Sequence, residues 1–201
     1  MNKVKLENLV LKNLSGEWGD ELNENEDGVR VIRTADFNND GTINYSKIVK
    51  RKIKQEKIDE KKLIYGDIIV EKSGGTDKNP VGRVVFFDIN EICLANNFTQ
   101  VLRLKDDVNA KYVFYNLFYN YKNGFTMQMF NKTTGIQNLK IQQYLNQKIN
   151  LIDLEKQKNV VYKLDKIKNI IEIRKEQIGK LEELVKSQFV EHNIFNKLEV
   201  A

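Results

Sequence analysis

The chain has very little of what most enzymes use. Its 201 residues include one cysteine, Cys93, one histidine, His192, and one proline, Pro80. A single cysteine forms no internal disulfide and fits a reducing, cytoplasmic setting. Cys93 stands in the apolar run Ile92-Cys93-Leu94-Ala95, which reads as a buried thiol rather than a reactive one. One histidine cannot build a multi-His metal site, and the partners of a His-based triad are not expected around it. No run of eighteen apolar residues occurs, and the start Met1-Asn2-Lys3 lacks an apolar signal core, so neither membrane spanning nor secretion is expected.

Three short motifs offer chemistry, and each fails on its chemistry. Asp36-Phe37-Asn38-Asn39-Asp40-Gly41 opens like an EF-hand loop, but the position that needs a bidentate Glu is Lys47. The segment therefore reads as a glycine-containing turn, with no metal. Asp67 with Glu71-Lys72 suggests a metal-dependent nuclease, yet adjacent Glu and Lys point to opposite faces of a strand. Asn79-Pro80-Val81 begins like the catalytic loop of DNA amino-methyltransferases, but the second proline and the aromatic are missing. No glycine-rich cofactor loop follows a strand. The chain is expected to catalyse nothing and to hold no cofactor.

What is present divides into two textures. Residues 1–150 alternate short apolar runs with Gly, Asn and Asp clusters. Val29–Ile32, Asp67–Val70, Arg83–Phe87 and Phe98–Leu104 read as strands. Over residues 111–122, Val113, Phe114, Leu117, Phe118 and Tyr121 recur at helical spacing, and Asn123-Gly124 ends the helix. Residues 151–201 differ. Asp153 is the expected N-cap of a long helix. Along it Val160, Leu164, Ile167, Ile171, Arg174, Ile178, Leu181 and Val185 follow a 3-4 spacing with no proline between them. That is a coiled-coil seam, and one greasy stripe on a long helix calls for a partner helix. Arg174 within the seam would set register against an acidic group. The expected fold is therefore α+β, a mixed α/β domain followed by a long coiled-coil helix.

The net charge is +5. Residues 153–201 carry 10 basic and 9 acidic side chains, so most of the excess lies in the first part. Between Lys47 and Lys62 eight basic residues face three acidic ones. The stretch reads either as a solvated face or as a strip contacting phosphates, with Lys50 and Arg51 as candidates.

Several segments, in order, resemble the specificity subunits of Type I restriction–modification systems. They are Gly16-Glu17-Trp18-Gly19, Val31-Ile32-Arg33-Thr34-Ala35-Asp36-Phe37, and Gly66-Asp67-Ile68-Ile69-Val70-Glu71-Lys72-Ser73-Gly74-Gly75. Then come Pro80-Val81-Gly82-Arg83-Val84, Asn97-Phe98, Lys111-Tyr112-Val113-Phe114, Thr133-Thr134-Gly135-Ile136-Gln137-Asn138-Leu139 and Leu154-Glu155-Lys156-Gln157-Lys158. The family often has two prolines before that last segment; here Ile152-Asp153 stand there.

The resemblance implies a half-length form: one target-recognition domain and one spacer helix. It implies double-stranded DNA as ligand and a second copy of the chain across the helix. It also implies modification subunits that use S-adenosylmethionine, and a restriction subunit, as partners. Two loops are the expected readers. Lys72, Ser73, Gly74, Gly75, Thr76 and Lys78 form one; Thr133, Thr134, Gln137 and Asn138 form the other. Asn and Gln suit adenine, and Arg30 and Arg33 are candidates for guanine. Two other classes stay open: a coiled-coil interaction or regulatory half-subunit without a modification role of its own, and a nuclease.

Overall fold

The computed structural model describes residues 2–24, 26–133 and 135–198; for 2, 133 and 189–198 only the backbone is described. Contacts divide the chain after Lys158 rather than at residue 150. The first unit contains β1 (Asn2–Lys5), β2 (Val10–Ser15), β3 (Val29–Ile32), β4 (Val49–Arg51) and α1 (Gln55–Lys61). These are followed by β5 (Ile68–Glu71), β6 (Ser73–Gly74), β7 (Val84–Phe86), β8 (Cys93–Ala95), β9 (Thr99–Leu104) and α2 (Ala110–Lys122). Last come β10 (Phe130–Thr133), β11 (Ile136–Leu139), α3 (Ile141–Leu145) and β12 (Lys148–Leu151). The helix α4 (Leu154–Leu198) completes the α+β architecture.

Four small sheets result. The central one has the order β2-β9-β5-β7 and the second β4-β3-β8; the others are β10-β11-β6 and the pair β1-β12. β5 is buried along its whole length, which is why Ile68-Ile69-Val70 is a continuous apolar run rather than an alternating one. Alternation still sorts the faces. Ile69, Val85 and Val101 cluster with Ile32, Cys93 and Ala95 of the β4-β3-β8 sheet, so the main core lies between these two sheets. The opposite face carries Phe86, whose ring lies 5.6 Å from Phe114 of α2. Cys93 is fully buried, and burial pushes its thiol up to about 11.

The ends of α2 follow their sequence signals. Asn109 Oδ1 accepts from the Tyr112 amide at 3.0 Å, and Gly124 takes φ 72°, the left-handed conformation that suits glycine after a helix. Asp153 caps α4, its Oδ1 accepting from the Lys156 amide at 3.0 Å. Gln157, in the first turn of α4, is buried and accepts from the Asn109 amide at 2.9 Å.

Ile167, Ile171, Ile178, Leu181 and Val185 are all exposed, as are Ile170 and Leu184 beside them. Arg174 is held within its own helix, donating to Gln177 Oε1 at 2.7 Å. Among the described residues, no helix is long and apolar enough to cross a membrane.

Candidate nucleic-acid interface

The two loops expected to read DNA are sixty residues apart in sequence, and the fold makes them neighbours. β6 pairs with β11 so that Ser73 faces Asn138 and Gly74 faces Gln137. Ser73 Oγ donates to Asn138 Oδ1 at 2.8 Å. Beside them, Lys132 at the edge of β10 pairs with Asp77 at 2.7 Å. The 76–79 turn is closed twice, by the Thr76 amide on the Asn79 carbonyl and by the Asn79 amide on Thr76 Oγ1. Thr76, Lys78 and Asn138 are exposed. Lys72 donates to Ser15 Oγ at 2.5 Å, and burial lowers its pKa. Thr134 lies outside the described residues, and of Thr133 only the backbone is described.

A buried clamp holds this surface from behind. Glu71 is 2% exposed; its carboxylate accepts Arg83 Nε at 2.6 Å and the Gly75 amide at 3.3 Å. Arg83 reaches on to the Thr34 carbonyl at 2.9 Å. Gln137 Oε1 accepts from the Val81 amide at 3.0 Å, and Tyr121 of α2 donates to the Pro80 carbonyl at 3.2 Å. Glycine is required at 75. Its φ is +61°, and a Cβ there would meet Gln137 Oε1 and the Val81 amide nitrogen at 2.8 Å.

Gln137 is therefore a correction to the sequence reading. It was expected to face a base, but it is 2% exposed and points inward, because alternation along β11 sends Asn138 outward and Gln137 to the core. Gln137→Leu should cost about 1–3 kcal/mol, since the buried Val81 amide loses its acceptor. Asn138→Ala should change thermal melting by no more than about 1 kcal/mol. A calorimetric melt of both variants checks the contrast, and equal losses would refute it.

The basic candidates outside the loops are engaged by neighbouring groups. Arg30 is bound to Glu91 and to the Tyr45 carbonyl. Arg33 grips Asp36 through two nitrogens and also reaches the Lys47 carbonyl. Arg51 stacks 4.4 Å over the Trp18 ring and bonds to the Gly19 carbonyl. Lys50 pairs with Asp27, Lys52 with Glu26 and Lys61 with Glu17. Acids of the 17–27 segment thus neutralise much of the 47–62 strip, which the sequence shows only as a local excess of lysine. Asp36, the first residue of the calcium-like motif, is buried under Arg33.

The two acids of the nuclease-like motif are likewise committed. Asp67 takes two bonds from Arg103, both 2.9 Å, and Glu71 takes Arg83. The sequence carried a signal for both pairs. An acid embedded in an apolar strand must bury with a cation, and arginines stand in the neighbouring runs.

What remains outward is a polar, glycine-jointed surface carrying hydroxyls, an amide and Lys78. Backbone and short side chains of this kind can approach base edges, and the lysine can meet phosphate. Solved structures share the fold. A chain from a study of complex assembly and conformational transition of the type I R-M system aligns with a TM-score of 0.65 at 19% identity, over 92% of this chain and 42% of its own. The HsdS subunit from Thermoanaerobacter tengcongensis aligns at 0.57 and 20% identity, over 85% of this chain and 37% of its own. The Type-I restriction-modification system S subunit from M. genitalium aligns at 0.56 and 18%, over 85% and 40%. The chain spans less than half the length of each. No curated protein matches it. The model of the Type I restriction modification DNA specificity domain matches residues 2–183, nearly the whole sequence, and the chain belongs to that family.

Proposed function

We propose that this chain reads duplex DNA as the specificity component of a Type I restriction–modification system. It carries no catalysis; it places S-adenosylmethionine-dependent modification subunits, and recruits the restriction subunit, on a bipartite site. The single observation that carries the reading is the joining of two distant polar loops into one surface braced by buried residues. Flexible loops would leave base contacts undefined; a braced surface presents donors and acceptors at fixed spacing. The nuclease alternative loses support because Asp67 and Glu71 each sit in an arginine pair. A purely coiled-coil protein has no use for the braced surface, whereas a regulatory half-subunit that binds DNA without supporting methylation would share it.

Two copies pair through α4 in this reading, because its apolar stripe is exposed and a two-fold dimer suits a site with two halves. The test is co-expression with the modification subunit encoded beside it, followed by mapping of methylated adenines. Methylation confined to one bipartite sequence is expected, with none from the chain alone. Lys78→Ala should weaken every duplex alike and reduce the salt slope by about one. Methyl transfer by the purified chain, or sequence-independent methylation by the complex, would sink the proposal.

A further inference from the structure

At the foot of the β10–β11 ribbon lies an open groove of about 540 Å³. Lys3 and Lys148 line it, with the amides of Asn120, Gln143, Asn146 and Asn150; Phe125 and Met129 supply the apolar part. Every residue lining it is cationic or neutral. The nearby carboxylate of Glu7 is already taken by Lys5 at 3.0 Å and Gln142 at 3.2 Å. The lysines are fixed by the backbone. In the β1-β12 pair Lys3 stands opposite Asn150 and Lys5 opposite Lys148.

The groove is tied to the recognition surface through the ribbon. Met129 directly precedes β10 and its carbonyl accepts from the Lys140 amide, just after β11, at 2.7 Å. Gln143 belongs to α3, which follows at once. The braced 73–78 loop joins the middle of this ribbon at Gln137 and Asn138, and the groove sits at its foot. Four residues of strand span roughly 13 Å. A B-DNA major groove is about 12 Å wide and about 8.5 Å deep, and it admits a two-stranded ribbon. A surface within one strand length of residues that reach base edges therefore lies at the level of the flanking phosphates.

We infer that this groove grips the phosphodiester backbone flanking the bases read by the 73–78 loop and Asn138. The inference rests on the DNA-reading function proposed above. Two ammonium groups and several amide N–H donors meet phosphate oxygens, and the absence of lining carboxylates removes like-charge repulsion. The contact is blind to sequence. Its role is to fix the orientation of the recognition surface on the duplex.

The test uses the full chain and a 25-base-pair duplex of arbitrary sequence, beside the target mapped by methylation. Lys3→Ala with Lys148→Ala should flatten the slope of log affinity against log salt by about 1.8, at about 0.9 per phosphate contact. Affinity for both duplexes should fall by the same factor, tenfold or more, with target preference intact. Gln143→Glu with Asn146→Glu should do the same by placing carboxylates in the groove. Thermal melts establish that both variants fold. An unchanged slope in the two double variants, while Lys78→Ala still loses about one, overturns the groove and leaves the recognition surface standing. Loss of association with the modification subunit at unchanged DNA affinity also overturns it, in favour of a protein contact. A parent chain with no salt-dependent duplex binding overturns both readings together.

Discussion

Aspartate at both Ile171 and Leu181 is expected to turn a dimer into a folded monomer. The two side chains are 48% and 60% exposed in the single chain, so the substitutions disturb nothing inside it. In a two-fold dimer each counts twice. Four buried aliphatic side chains at about 2 kcal/mol each give roughly 8 kcal/mol, or five to six powers of ten in the dissociation constant. Sedimentation at micromolar concentration reads the change directly. A wild-type chain that is already monomeric there would end the dimer proposal.

In the proposed dimer, the antiparallel register that overlaps all eight seam positions sets Arg174 against an aliphatic side chain rather than the acidic group expected from the sequence. Antiparallel pairing about a point between Glu172 and Ile173 sets Leu164 against Leu181, Ile167 against Ile178 and Val160 against Val185 of the second copy. Every a position then meets a d position, as antiparallel coiled coils require, and Arg174 falls opposite Ile171. Because Cys93 is buried, introduced cysteines report cleanly. The double variant Leu164→Cys, Leu181→Cys should form intermolecular disulfides under mild oxidation, and neither single variant should. Cross-linking by the single variants would reveal a parallel pair instead, since a disulfide needs Cα atoms within about 7 Å.

The second large effect concerns the clamp. Glu71→Ala leaves the Arg83 guanidinium and the Gly75 amide without their carboxylate. Breaking a buried pair from one side costs about 3–5 kcal/mol, on the order of 10 °C in melting temperature for a chain of this size. Stability alone would not identify a role in recognition, but the same strand supplies the control. Asp67 and Arg103 form an equally buried pair at the other end of β5, away from the loops. Arg103→Ala should cost a similar amount and, measured below its melting point, keep the parent's preference among DNA targets. Glu71→Ala should lose that preference, because the 73–78 loop is no longer held at Gly75 by the carboxylate that also anchors Arg83. Equal retention of preference in both variants would show that the clamp serves stability only.

Much of the fold was legible before the structure. The apolar runs at 29–32 and 98–104, the α2 stripe ending at Asn123-Gly124, and the Asp153 cap all lie where local pattern puts them. These elements are set by signals a few residues apart: side-chain period, a capping oxygen, a glycine at positive φ. The candidate site was legible only as two loops. That Ser73 meets Asn138, or that Gln137 turns its amide inward to Val81, depends on strand register across sixty residues. A one-residue slip would have exchanged the two faces.

Sequence by itself determined the order of elements, the two textures of the chain and the family resemblance. These rest on composition and on periodicity, which need no partner in space. Tertiary structure alone decided which partner each charge meets. Arg30, Arg33, Arg51 and Lys50 look like DNA contacts in one dimension and are bound to Glu91, Asp36, the Trp18 ring and Asp27 in three. Coulomb attraction falls with distance through space, and the distance along the chain does not report it. For the same reason the fold could gather two polar loops and one carboxylate-free groove around a single ribbon, an arrangement no local pattern encodes.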